Sequence, residues 1–337
     1  MKILYICFGI FFIFVLPLFI EKADDMINLN DPLMKALKAV NSISAKSMTE
    51  SGLKRHRATM ERAGRIAAPK SDITVIPFNV DEIPCEMIRP EYAFNNRYVI
   101  LYAHGGGYVC GSLPYARILA AKLALATGFS TVSFEYRLAP EYPYPAALDD
   151  GMRIWEYLTG CGYAPDHVLF AGESAGGNLV LCMVQKLLAE GRPIPSHLLL
   201  FSPWTDLTAS SGTYKTKKDK DPILTKEHVI DAANVYIAGA GQPEDPRFSP
   251  LFGSFDGFPP TLIMAGRNGI LLDDSVRLCD SINSAGSIAT LDIEKNGWHV
   301  YQQMPIPIAA RAMKRLSAYV TSQIYGEDIW EVTTGTK

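Results

Sequence analysis

The feature that most constrains this chain is the hexapeptide Gly172-Glu173-Ser174-Ala175-Gly176-Gly177. It separates a short apolar run, residues 168–171, from a longer one, residues 176–188. Runs of these lengths read as a buried strand and a helix. Ser174 is therefore expected on a sharp strand–turn–helix corner. Glycines two residues to either side let the strand and the helix approach without Cβ clashes. The start of the helix adds positive potential beside the hydroxyl. This is the setting of a nucleophile elbow; an ordinary glycine-rich turn is the bland alternative.

The surrounding sequence alternates between strand and helix patterns. Strands are expected over Ile73–Val80, 85–88, 98–102, Ser130–Phe134, 168–171, 198–201, 261–264 and 288–293. Helices are expected over 116–126, 146–158, 176–188, 274–285 and 309–324. Such alternation argues for a mostly parallel sheet covered on both faces. The 337 residues, 48% of them hydrophobic, suffice for one large α/β domain with a small cap, or for two modest domains. Upstream, residues 29–68 read as helical: Met34, Leu37, Val40 and Ile43 recur at helical spacing before Pro69 ends the region. Between residues 205 and 257 the apolar rhythm weakens. A cap or pocket wall is expected from about 27–70 together with that insertion.

A second motif, His104-Gly105-Gly106-Gly107-Tyr108, follows the 98–102 strand. Acyl transfer passes through a tetrahedral oxyanion, which preorganised backbone N–H groups stabilise. Three glycines allow such a backbone to approach a substrate. A phosphate-binding loop would need a following Gly-Lys-Ser/Thr, which is absent. His104 is expected to hold the loop in place.

These two motifs, with Tyr136-Arg137-Leu138-Ala139-Pro140-Glu141, Pro143-Tyr144-Pro145-Ala146-Ala147, Asp149-Asp150 and Ser202-Pro203-Trp204-Thr205-Asp206-Leu207, resemble the hormone-sensitive-lipase-like family of α/β-hydrolases. The resemblance covers most of the chain after about Ile73. It implies an α/β-hydrolase fold and hydrolysis of short-to-medium acyl esters or lactones through a Ser174 acyl-enzyme. It implies no metal or organic cofactor, and oxyanion N–H groups from Gly106, Gly107 and Ala175. It also implies the chain order serine, acid, histidine, which points to His299 as general base. His56 falls in the expected cap, His167 and His197 precede strands, and His228 lies in the insertion. Arg137, Asp149 and Asp150 are expected to form structural ion pairs.

The acid departs from the family pattern. The resemblance places it in Gly266-Arg267-Asn268-Gly269-Ile270-Leu271-Leu272-Asp273-Asp274. Relatives ending in leucine-leucine-aspartate-aspartate carry aspartate or glutamate where this chain has Asn268 or Gly269. Asp273, Asp274 or Asp206 are the substitute acids to consider. A helix N-terminus would equally account for Asp273 and Asp274, and Asp206 belongs to a structural motif. Otherwise the chain is a weakened enzyme, or a small-molecule-binding pseudoenzyme on the same fold.

The N-terminus carries its own signal. Residues 3–20 contain no charge and are followed by Glu21, Lys22, Asp24 and Asp25. About 18 apolar residues lie near the lower limit for spanning a bilayer, and Pro17 is tolerated in a membrane helix. No small-residue pair marks a cleavage site near its end. Residues 1–26 thus read as a membrane anchor, with a cleaved signal or a buried core helix as alternatives, and 27–337 as the hydrolase. Lys2 favours an orientation with the hydrolase outside the cytoplasm. A formal charge of −3 without a long basic stretch argues against nucleic acid as a partner. The six cysteines show no metal-ligand spacing and name no disulfide pair.

Overall fold

In the computed structural model, residues 48–92 and 96–326 are described. The apolar run at residues 3–20 and the helical pattern at residues 29–47 lie outside them. Among the described residues no helix is long and apolar enough to cross a membrane.

Among the described residues, eight strands form one sheet in the order β1-β2-β4-β3-β5-β6-β7-β8. They are β1 (Ile73–Val80), β2 (Ile83–Pro90), β3 (Val99–Ala103), β4 (Ser130–Phe134), β5 (Val168–Glu173), β6 (His197–Phe201), β7 (Thr261–Gly266) and β8 (Ala289–Glu294). The first two form a hairpin, with Val80 opposite Ile83. Asp81 takes a positive φ in the intervening turn. Strand β2 runs antiparallel to β4, and every later pairing is parallel.

The helices are α1 (Glu50–Ala67), α2 (Leu113–Thr127), α3 (Ala146–Gly160), α4 (Ala175–Ala189), α5 (Thr213–Thr216), α6 (Lys226–Ile237), α7 (Leu272–Ser284) and α8 (Pro307–Tyr325). Two cores sit on opposite faces of the sheet. Leu101, Phe170 and Leu200 meet Trp155, Leu179 and Leu278 on one face. Ile100, Tyr102, Leu169 and Leu199 meet Leu119, Leu316 and Tyr319 on the other. Successive residues of a strand therefore serve different cores, and β3, β4 and β5 are buried throughout. This explains why those strands read as continuous apolar runs rather than as alternating ones.

Two local features differ from the sequence pattern and a third follows it. Helix α2 starts at Leu113, a turn earlier than expected, with proline in its first turn, where a missing N–H costs nothing. The 205–257 stretch holds the short α5 and the amphipathic α6, with Thr225 capping α6 by accepting the His228 N–H. As Pro69 suggested, helix α1 ends at Ala67, with Ala68 as its C-cap and Thr49 capping its start. It packs so tightly on the start of α2 that a Cβ on Gly64 would lie 2.2 Å from the Pro114 carbonyl.

Candidate active site

Ser174 is the last residue before α4 and sits at φ 52°, ψ −119°. A non-glycine residue held there is strained, and the surroundings impose the strain. The Ser174 N–H donates to the Phe201 carbonyl at 3.0 Å, and its carbonyl accepts from Asn178 and Trp204. A Cβ on Gly176 would sit 2.0 Å from the Ala103 carbonyl, and one on Gly172 2.4 Å from the Gly176 carbonyl. Only glycine fits at either place, as the motif suggested.

His299 follows β8. Its Nε2 lies 3.0 Å from Ser174 Oγ. The imidazole is buried, and that burial pushes it down to about 3, so it is neutral at pH 7. Its other nitrogen, Nδ1, is buried and has no hydrogen-bond partner among the described residues. The segment 266–274, where the resemblance implies an acid, runs beside the His299 backbone. Asn268 N–H donates to the Gly297 carbonyl at 2.9 Å, and a Cβ on Gly269 would lie 3.2 Å from the His299 backbone nitrogen. The loop reaches His299 but brings no carboxylate.

The three substitute acids are corrected by the structure, because each is committed elsewhere. Asp206 binds Thr208, Ser210 and Arg277. Asp274 accepts from the backbone of Thr205 and Asp206. Asp273 accepts from the Thr213 N–H at 2.9 Å. Both of the latter lie in the first turn of α7, the helix-start position the sequence offered as the alternative. Burial raises Asp274 to about 7, opposed by the N–H groups that cradle it.

The glycine loop wraps the other side of the serine. Gly106 has φ +113° and Gly107 φ +63°, and a Cβ on Gly106 would collide with the Cys110 carbonyl at 2.2 Å. Among the described residues, no acceptor takes the N–H of Gly106, Gly107 or Ala175. Three donors are thus left free around Ser174, as an oxyanion hole requires. His104 holds the loop, as expected. Its Nδ1 lies 2.7 Å from the Gly105 carbonyl, and its ring stacks on Tyr136 at 4.2 Å. Burial lowers it to about 4.

The serine opens into a cavity of about 220 Å³ whose walls include Ser174, His299, Gly106, Gly107, Met60 and Val229. Met60 belongs to α1 and Val229 to α6. Sequence reading assigned His56 and His228 to these two regions separately; the fold brings both to the cavity wall, ring centres 6.1 Å apart. Of the three residues expected in ion pairs, Arg137 chelates the fully buried Asp150, while Asp149 is exposed and acts on Arg137 only through its field. Among the described residues, no group of three or more His, Cys, Asp or Glu is placed to hold a metal ion.

Known proteins resemble this chain in sequence and fold. The profile of the α/β-hydrolase fold family matches residues 100–303, from β3 through the segment just beyond His299. The chain belongs to the α/β-hydrolase family. Within it, the chain is 31% identical to an esterase of Acinetobacter venetianus over 268 residues, 79% of this chain and 88% of that one. It is 32% identical to an acetyl-hydrolase of Streptomyces hygroscopicus over 263 residues, 77% and 85% of the two chains. The crystal structure of an esterase from the bacterial hormone-sensitive lipase family superposes with a TM-score of 0.81 at 30% identity, covering 89% of this chain and 100% of that one. This α/β-hydrolase is a hydrolytic enzyme of the hormone-sensitive-lipase-like group.

One cluster in the hydrolase escaped sequence reading. Glu173, the residue between Gly172 and Ser174, is fully buried and binds the Gly105 N–H at 2.6 Å. Tyr102 and Gln303 also donate to it, the latter at 3.1 Å. The motif displays the carboxylate, but its partners come from β3 and from the segment after His299, far apart in sequence.

Proposed function

We propose that the protein hydrolyses carboxylic esters through a Ser174 acyl-enzyme, slowed by the missing triad acid. The observation that carries this reading is the Ser174 Oγ–His299 Nε2 pair at 3.0 Å on an intact elbow. His299 Nε2 accepts the serine proton as Oγ attacks the ester carbonyl. The oxygen that becomes negative meets the N–H groups of Gly106, Gly107 and Ala175. The proton then passes to the departing alkoxide, and water repeats the sequence to release the acid. For this the imidazole must carry its hydrogen on Nδ1, where no acceptor stabilises the tautomer or the imidazolium that follows.

Short-to-medium acyl esters, acetyl esters among them, are the substrates that suit an apolar cavity of about 220 Å³ and the activity named in the Streptomyces relative. Lactones are a second substrate class to assay. The cap over this cavity is assigned to about residues 27–70 and to the 205–257 insertion, supported by the cavity walls from α1 and α6. Residues 3–20 are assigned to a membrane, with the hydrolase outside the cytoplasm. A fluorophosphonate probe tests the nucleophile: it should label wild type at Ser174 alone. Labelling that survives Ser174→Ala would refute the assignment. A wild type inert to both probe and esters would favour the binding-pseudoenzyme alternative, which the unpartnered His299 Nδ1 keeps open.

A further inference from the structure

Ester hydrolysis by this fold depends on where the N–H groups of the glycine loop point, and the loop has no regular secondary structure to fix them. What fixes it is a buried polar cluster. Glu173 Oε1 takes the Gly105 N–H at 2.6 Å, and a Cβ on Gly105 would touch the Glu173 and Ser174 atoms at about 3 Å. The carboxylate is therefore wedged between the serine's own strand and the residue that precedes both oxyanion glycines. Its other contacts come from β3, from the segment after His299 and, through the Tyr115 hydroxyl, from α2. Tyr102 on β3 donates to Oε2. Gln303, four residues beyond His299, donates to Oε1 at 3.1 Å and to the Tyr115 hydroxyl of α2 at 2.9 Å. The Tyr136 hydroxyl donates to the His104 carbonyl at 2.8 Å and closes the cluster from the loop after β4.

Resting on the ester-hydrolase reading above, we propose that Glu173 is a positioning residue of the oxyanion hole: by binding the Gly105 N–H it aims the Gly106 and Gly107 N–H groups at the substrate oxygen. A neutral side chain of the same size would pack as well. It would not attract the amide as a carboxylate does, because charge-assisted hydrogen bonds are roughly twice as strong as neutral ones.

The carboxylate also gives the cluster a titration. Burial raises Glu173 to about 7, opposed by the hydrogen bonds from Tyr102, Gly105 and Tyr115. The titratable groups facing it are Tyr102, Tyr115 and Tyr136, all pushed upward by burial, with the neutral His104 beside Gly105. None is a cation near neutral pH. Since the folded value lies above the ordinary one, the carboxylate form is complete only above about pH 7. Activity governed by it should rise with pH through that value. His299, held at about 3, cannot produce a limb there.

The experiment is kcat and KM on p-nitrophenyl acetate from about pH 5 to pH 9 for wild type, Glu173→Gln, Glu173→Asp and Tyr102→Phe. Wild type should show an acid limb near pH 7. Glu173→Gln should lose about tenfold or more in kcat, the scale of a misplaced oxyanion donor, with little change in KM and no such limb. Glu173→Asp should recover part of the rate and regain a limb. Tyr102→Phe removes a donor to the carboxylate and should move the limb to higher pH. A Glu173→Gln enzyme with the wild-type kcat and limb overturns the proposal. If that variant does not fold, Tyr102→Phe decides: a limb left in place overturns it. A wild type inert to ester and to fluorophosphonate overturns the ester-hydrolase reading and this inference together. An active wild type with an unaffected Glu173→Gln overturns this inference alone.

Discussion

Placing a carboxylate beside His299 Nδ1 should accelerate the enzyme. Burial without a counter-charge holds the imidazole at about 3 instead of its ordinary 6.5. At ~1.36 kcal/mol per decade of proton affinity, that gap makes the imidazolium formed during acylation roughly 5 kcal/mol less accessible. A carboxylate about 4 Å away, at an effective dielectric near 20, returns about 4 kcal/mol. The ceiling on the gain is therefore about a thousandfold. Two costs reduce it. A newly buried carboxylate loses several kcal/mol of hydration. At Gly269 a Cβ 3.2 Å from the His299 backbone nitrogen also forces the backbone to give by a few tenths of an ångström. The expected net gain is about tenfold or more, ~1.4 kcal/mol, from Asn268→Asp or Gly269→Glu. Asn268→Asp changes no volume, and its backbone is already tied to Gly297. The assay is kcat on a p-nitrophenyl ester for wild type and both variants, with Asp206→Asn, Asp273→Asn and Asp274→Asn as controls. The controls should change stability more than kcat, because their hydrogen bonds go to Thr208, Thr213 and Thr205. A fast wild type, abolished by one aspartate replacement and helped by neither restoration, would refute this reasoning and show a relocated acid.

Three further outcomes are expected. Asp150→Ala leaves the Arg137 guanidinium without its buried partner and should cost about 2–4 kcal/mol in denaturant unfolding; an unchanged midpoint would exclude a structural role for the pair. Tm should rise with pH between about 4.5 and 6.5. His56, His104, His197 and His299 are held at about 4 or below by burial, so there they bind protons only when unfolded. Glu173 and Asp274, raised to about 7, act in the opposite sense. Four against two leaves a net uptake of about two protons on unfolding, and a Tm that falls across this window in calorimetry would contradict it. Finally, full-length protein should sediment with membranes. Recovery wholly in the soluble cytosolic fraction would exclude the anchor, and a mature N-terminus near Ala23 would favour a cleaved signal.

The elbow, the glycine loop and the parallel sheet were legible in the sequence because each rests on local chemistry. A corner with φ 52° at Ser174 needs flanking glycines within two residues, and strands buried on both faces must be apolar at every position. His299 was legible through the family resemblance, which implies the chain order serine, acid, histidine and so points to a histidine after the last strand. The vacancy at the acid position was also visible, since neither Asn268 nor Gly269 can carry charge. What the tertiary structure alone decided is which charges are free to act. Asp206, Asp273 and Asp274 lie close in sequence or motif to the missing acid, and only their committed hydrogen bonds disqualify them. Glu173 stood in plain view beside the nucleophile, yet its hold on Gly105 depends on Tyr102 and Gln303, and Gln303 lies 130 positions away. Backbone conformation is set by neighbours in the chain. A buried carboxylate's effect depends on the donors that close around it, and the fold assembles those from distant segments.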